Sequence, residues 1–281
     1  MKICKSISEF ITWRNSCLEQ NVGFVPTMGA LHQGHLSLVE QSKRHCKKTV
    51  VSIFVNELQF APEEDFKEYP RPLEADLKHL KTLKVDVVFL PTTQEMYADD
   101  FSVIVNELKI SQRLEGGVRP GFFSGVTTVV SKLFNLVRPS HSYFGMKDIQ
   151  QLRVIKKLVE DLNFNIQIIG CKTIREDSGL AMSSRNQYLS NQEKQEAAIL
   201  YEALQVGEGL FQENKDYKTI KQSMYTYVGE NSKIKIDYLS IAQLESFEEL
   251  INLTNHDKTN VVISGAIFFN NVRLIDNIII Q

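Results

Sequence analysis

Continuous apolar runs alternate with amphipathic segments over the first two-thirds of this 281-residue chain. That alternation predicts an α/β fold built on a Rossmann-like, doubly wound parallel sheet covered on both faces. After about residue 186 the texture changes to Glu-, Gln- and Ala-rich stretches and then to alternating strands, which predicts a smaller C-terminal α+β domain. The division is set at residues 1–178 and 179–281.

Each element follows from its local pattern. Short apolar runs bounded by polar or turn residues predict strands over 22–25, 49–55, 85–90, 141–144 and 164–169. Between them, apolar residues recurring every three or four positions predict helices over 34–47, 73–82, 126–137 and 149–162. The C-terminal part reads as helices over 191–212 and 215–227, then strands over 234–241, 260–268 and 272–280.

Composition narrows the function classes. Hydrophobic residues at 43% and charged residues at 23% are ordinary for a soluble protein. A net charge of −2 gives no electrostatic basis for binding nucleic acid or an anionic membrane. The apolar runs are too short to span a bilayer, and Met1-Lys2-Ile3-Cys4-Lys5-Ser6 lacks the apolar stretch of a signal peptide, so a cytoplasmic location is expected. The four cysteines, Cys4, Cys17, Cys46 and Cys171, show no CxxC pair or zinc spacing and receive no role.

The most informative segment is Pro26-Thr27-Met28-Gly29-Ala30-Leu31-His32-Gln33-Gly34-His35. It links the first long strand to a helix, where free backbone N–H groups and the helix dipole attract phosphate. Imidazolium groups placed there can neutralise charge that builds as a triphosphate is cleaved. As metal ligands the two histidines lack a third partner nearby.

Four further segments fall on the same sheet edge. In Phe54-Val55-Asn56-Glu57-Leu58-Gln59-Phe60, the amides of Asn56 and Gln59 can bind a hydroxyl or carboxylate. The stretch from Gly116 to Val126 reads as a Gly-rich loop or flap entering a helix, with Arg119 as an anion contact. In Phe144-Gly145-Met146-Lys147-Asp148-Ile149-Gln150-Gln151, Gly145 permits close approach and Lys147 can reach a phosphate. Asp148 can cap the helix or accept from a ribose hydroxyl, and Gln151 lies one turn beyond Lys147. In Ala181-Met182-Ser183-Ser184-Arg185-Asn186, two hydroxyls and a guanidinium can donate to phosphate oxygens. Any one of these has an ordinary structural explanation; together they point to a nucleotide site.

Assembled, these motifs resemble the pantothenate synthetase (pantoate–β-alanine ligase) family of the HxGH nucleotidylyltransferase superfamily. The resemblance runs nearly end to end, adding Tyr69-Pro70-Arg71, the Arg119–Val130 stretch, Gly179 to Leu189, and Arg273-Leu274-Ile275-Asp276-Asn277. It departs at Glu57 (usually Pro), Phe122 (usually His), Met146 (often polar) and Ser178 (usually Asp).

The resemblance implies adenylation of pantoate by Mg-ATP, with attack by β-alanine on the bound adenylate to give pantothenate and AMP. It implies that Met28, Gly29, Ala30, Leu31, His32, Gln33, Gly34 and His35 hold ATP, with His35 catalytic and His32 sharing the phosphate charge. Gly145, Met146, Lys147, Asp148, Ile174, Met182, Ser183, Ser184 and Arg185 complete the nucleotide site, Lys147 and Arg185 as catalytic cations. Gln59 and Gln151 orient pantoate, Gln59 also lying near β-alanine. The sequence offers no protein-derived metal cage, so Mg²⁺ is expected to arrive on the ATP phosphates. A homodimer is implied as well. On the HxGH turn alone, a nucleotidyltransferase releasing a stable product and a non-catalytic nucleotide-binding protein both stay open.

Overall fold

Six short strands pair in parallel in the computed structural model, which describes residues 1–18, 20–229, 232–251 and 259–280. They are β1 (Lys2–Cys4), β2 (Val22–Thr27), β3 (Lys48–Ile53), β4 (Val87–Phe89), β5 (His141–Gly145) and β6 (Gln167–Cys171), in the order β1-β4-β3-β2-β5-β6. From β2 the chain moves outward through β3 to β4, then returns to β2's other side for β5 and β6. The winding therefore reverses between β2 and β5, and a doubly wound sheet binds ligands at the carboxyl ends of such a pair. The β2–β5 register covers only Gly23↔His141 and Phe24↔Ser142. Beyond that pair the two strands run on to Thr27 and Gly145 without pairing to each other.

The chain divides into two compact units, Met1–Met146 with Gln151–Lys172, and Lys147–Gln150 with Thr173–Gln281. The first unit holds the parallel sheet and the helices α1 (Ile7–Asn15), α2 (Gln33–His45), α3 (Leu73–Thr82), α4 (Thr93–Met96), α5 (Leu114–Val118) and α6 (Phe122–Val137), with most of α7 (Ile149–Asp161). Val25, Leu38, Val51, Leu80, Val85 and Val88 pack together, so α2 and α3 bury their apolar stripes on the sheet.

The second unit holds α8 (Asn191–Ala197), α9 (Ile199–Gln212), α10 (Tyr217–Val228) and the antiparallel strands β7 (Ile234–Gln243), β8 (Val261–Phe269) and β9 (Val272–Ile280). Leu200, Leu204, Ile220, Met224, Ile241, Ile263 and Ile267 form its core. The helix expected over 191–212 is thus two helices. Ser190 caps the first in a reciprocal box with Glu193, and the second begins directly after Ala198.

Three further points differ from expectation. The strand expected over 164–169 begins at Gln167, because Asn163 sits in the left-handed region (φ 55°) and closes α7. The Phe164 N–H bonds the Val159 carbonyl there, so an apolar pair that reads as strand belongs to a helix C-cap. The Gly-rich stretch from Gly116 is no flap: α5 and α6 occupy it, joined at Gly121. Finally, β1 and α1 have no counterpart in the expected elements, although Ser6 caps α1 by accepting from the Glu9 N–H at 3.2 Å.

Among the described residues no helix is long and apolar enough to cross a membrane. The four cysteines are free thiols. Burial pushes Cys171 up to about 11 and raises Cys4 and Cys46, which keeps these three protonated at neutral pH.

Candidate active site

The turn between β2 and α2 is tightly specified. Gly29 has φ 84° and Ala30 φ 50°, two consecutive left-handed residues that swing the chain from the strand edge into the helix. Thr27 Oγ1 accepts from the Gly29 N–H at 3.2 Å and donates to the Ser52 carbonyl at 2.7 Å, tying the turn to β3. The buried Asp76 of α3 accepts from the Ala30 N–H through Oδ2 and the Leu31 N–H through Oδ1, both at 2.8 Å. Burial raises the Asp76 pKa, while the two amides and nearby His79 oppose that rise.

His32 is the N-cap of α2. Its Nδ1 accepts from the Gly34 N–H at 3.1 Å, and its own N–H donates to His35 Nδ1 at 3.4 Å. The ring centroids lie 4.1 Å apart. With each Nδ1 accepting a backbone N–H, the neutral ring carries its proton on Nε2. The expectation of free amides is corrected here: the N–H groups of Gly29, Ala30, Leu31, His32 and Gly34 all have partners within the fold. The donors this turn can offer an anion are therefore chiefly imidazole groups.

Beyond β3, residues Glu57–Gln59 form a single 3-10 turn. Gln59 Nε2 lies 2.9 Å from Met28 Sδ, which joins two residues expected at the site. Asn56 is 1% exposed and orients this amide. Its Nδ2 donates to Gln59 Oε1 and to the Gly125 carbonyl, each at 3.1 Å, while Tyr97 Oη donates to its Oδ1 at 2.6 Å. Burial and the Glu57 charge push the Tyr97 pKa up, so it stays a donor. A Cβ on Gly125 would lie 2.1 Å from the Leu58 carbonyl oxygen, so only glycine lets α6 approach this turn.

Arg119 already has an anion. Its guanidinium pairs with both Glu64 oxygens at 2.6 and 2.7 Å and stacks 3.8 Å from the Phe122 ring centroid. Gly145 ends β5, and a Cβ there would meet nothing within 4 Å. Gln151 is half-buried on α7.

The second unit carries the remaining predicted residues. Lys147 Nζ lies 3.8 Å from Asp148 Oδ1, and the Lys147 carbonyl accepts from Asn277 Nδ2 at 2.8 Å. Ile174 and Met182 face each other across a small hairpin, the Met182 N–H bonding the Ile174 carbonyl at 2.9 Å. Ser178 Oγ accepts from the Leu180 N–H at 3.3 Å in the turn of that hairpin. Ser183 caps the 3-10 segment Ser184–Tyr188 by accepting from the Arg185 N–H. Arg175 grips buried Asp276 with both Nη atoms, one at 3.0 Å, and stacks 3.4 Å over Tyr201. The expected nucleotide residues therefore divide between the units, Met28 to His35 with Gly145 and Met146 in the first, the others in the second.

Asp76, Tyr97, Arg175 and Asn277 were not singled out from the sequence. For Asp76 a signal existed: it shares a helix face with Leu80, where a carboxylate must find partners.

The family model for pantoate–β-alanine ligase matches residues 2–279. A pantothenate synthetase of Thermotoga petrophila is 45% identical over 283 residues, covering all of both chains. The crystal structure of pantothenate synthetase from Thermus thermophilus superposes with a TM-score of 0.92 at 39% identity, covering 99% of each chain. The Francisella tularensis pantoate–β-alanine ligase, complexed with β,γ-ATP and β-alanine, superposes with a TM-score of 0.81 at 36% identity, covering 99% of this chain and 97% of that one. With the parallel sheet, the HxGH turn and the whole length in agreement, this chain belongs to the pantoate–β-alanine ligase family.

Proposed function

We propose that this chain condenses (R)-pantoate with β-alanine at the expense of ATP, giving pantothenate, AMP and pyrophosphate. The observation that carries this reading is the His32–His35 pair at the start of α2, on the carboxyl edge of β2 beside the switch point. A carboxylate oxygen of pantoate attacks the α-phosphorus, the bond to the bridging oxygen breaks, and pyrophosphate leaves. The β-alanine amine then attacks the acyl carbon of the bound adenylate, the carbon–oxygen bond to AMP breaks, and the nitrogen loses its proton. No protein nucleophile is needed, so catalysis rests on positioning and charge neutralisation.

In this reading His35 and His32 donate from Nε2 to phosphate oxygens, and Lys147 and Arg185 bring positive charge. Met28, Gly29, Ala30, Leu31, Gln33, Gly34, Gly145, Met146, Asp148, Ile174, Met182, Ser183 and Ser184 hold the rest of ATP. Gln59 and Gln151 hold pantoate, Gln59 also serving β-alanine. The Francisella enzyme, complexed with β,γ-ATP and β-alanine, supports the choice of these two ligands. Mg²⁺ is assigned to the ATP phosphates, the oxygen ligands that this hard cation takes together with water. Residues 1–178 act as the nucleotide and pantoate domain, and 179–281 as a lid that keeps water from the adenylate. A cytoplasmic homodimer completes the reading; exposed Val103, Ile104 and Leu108 favour association.

Gln59→Ala and Gln151→Ala are expected to raise the pantoate KM about 10- to 100-fold, the scale of a lost hydrogen bond to a charged group, with a smaller change for ATP. Steady-state kinetics with each substrate varied check this, and equal losses for both substrates would overturn the pantoate assignment. The reaction itself is tested by mass-spectrometric product analysis with MgATP and pantoate, with and without β-alanine. AMP and pantothenate together are expected only with all three substrates; a released, stable adenylyl product would replace this reading with a nucleotidyltransferase.

A further inference from the structure

We propose that Asp76 is a positioning residue for the adenylation step, its buried carboxylate holding the 29–31 turn and, through that turn, the His32–His35 pair. This role rests on the reading of the two histidines given above. Asp76 is 2% exposed, and its two oxygens accept from consecutive amides, Ala30 and Leu31, at 2.8 Å each. The second of these amides is that of Leu31, the residue immediately before His32. The turn also lies close against the carboxylate, since a Cβ on Gly29 would come within 3.1 Å of Asp76 Oδ2.

The backbone needs such a hold. Ala30 is an L-residue at φ 50°, a strained conformation that persists only where surrounding contacts impose it. Among those contacts is the bidentate carboxylate of Asp76 on α3. Relaxation of Ala30 would rotate the Ala30–Leu31 peptide and swing Leu31 and the His32 backbone that follows it. The His32 N–H would then lose its aim at His35 Nδ1, the bond that sets the His35 tautomer and ring plane. A buried carboxylate is costly unless its partners justify it, and here the partners are the backbone leading into the catalytic pair.

Asp76→Asn keeps the shape but turns one acceptor oxygen into a donor, so one of the two amides loses its partner. The expected result is a folded enzyme whose kcat for pyrophosphate release from MgATP and pantoate falls about 10- to 100-fold, the scale of a small misplacement of reacting groups. The pantoate KM is expected to stay within about twofold, because the Asp76 carboxylate bonds Ala30 and Leu31, whereas Gln59 Oε1 is held by Asn56. Long-range ¹H–¹⁵N spectra of the imidazoles are expected to show Nε2–H rings at His32 and His35 in the native enzyme and mixed tautomers in the variant. Leu80→Val serves as a control that weakens α3 without touching the turn, and it is expected to keep native kcat in the folded protein. Should Asp76→Asn fail to fold, Asp76→Glu, which displaces the carboxylate by one methylene, is measured with the same split expected. A folded Asp76 variant with native kcat and native imidazole spectra would overturn the role, as would equal kcat losses in the Leu80→Val control. His32→Ala and His35→Ala are assayed alongside: native rates in those two would bring down the reading of the histidines instead.

Discussion

His35→Ala is expected to lower pyrophosphate formation from MgATP and pantoate by about 10²–10³-fold, the effect of removing one preorganised donor from developing charge. The loss should fall on the first half-reaction, because His35 is assigned to the phosphate rather than to the amine. The variant should still fold. Among what it removes from the structure are the ring contact with His32 and one bond of the capping box, the His32 N–H to His35 Nδ1 contact at 3.4 Å, worth about 1 kcal/mol. A thermal melt recorded beside the pyrophosphate assay separates the two effects. Near-native release from a folded variant would remove His35 from the chemistry.

Gly125→Ala is expected to damage stability and pantoate binding together. The new methyl would sit 2.1 Å from the Leu58 carbonyl oxygen and 2.7 Å from the Gln59 nitrogen, both backbone atoms that cannot rotate away. Either α6 or the 57–59 turn has to move, at a cost of about 1–3 kcal/mol. Asn56 transmits the shift, since it bonds both the Gly125 carbonyl and the Gln59 side chain. A lower denaturation midpoint with an unchanged slope is expected, and a pantoate KM raised about tenfold or more. Gly145→Ala makes the contrast. Its methyl meets nothing within 4 Å, so stability should hold within about 0.5 kcal/mol, and a weaker ATP affinity there would report the ligand alone.

Much of this molecule was legible in its residues. The central strands are continuous apolar runs because helices cover both faces of the sheet, and the HxGH turn follows the strand at which the winding reverses. What was not legible depends on contacts distant in sequence. β1 is three residues long with one buried side chain, too short to show any period. Phe164 reads as strand but serves as the apolar residue after a left-handed C-cap. Asn56 and Arg119 looked like ligand contacts, and each proves to be engaged within the protein, by Tyr97 and Gly125 in one case and Glu64 in the other. Residue type gives the capacity for a bond, while only the fold decides whether a neighbour already occupies it.

The departures from the family pattern gain local explanations in the same way. Phe122 provides the ring on which the Arg119 guanidinium stacks. Ser178 supplies an oxygen that accepts the Leu180 N–H, a role that a short carboxylate could also fill. Glu57, itself exposed, begins the 3-10 turn, and its charge adds to the burial that raises the Tyr97 pKa. Nothing in the structure explains Met146.

The adenylate route is tested most directly by following oxygen. Pantoate labelled with ¹⁸O in both carboxylate positions is turned over with MgATP and β-alanine, and the products are weighed. One carboxylate oxygen becomes the bridge to phosphorus and leaves with it, so AMP carrying a single ¹⁸O and pantothenate retaining one in its amide carbonyl are expected. Unlabelled AMP, or label appearing in inorganic phosphate beside ADP, would contradict attack of the carboxylate on the α-phosphorus.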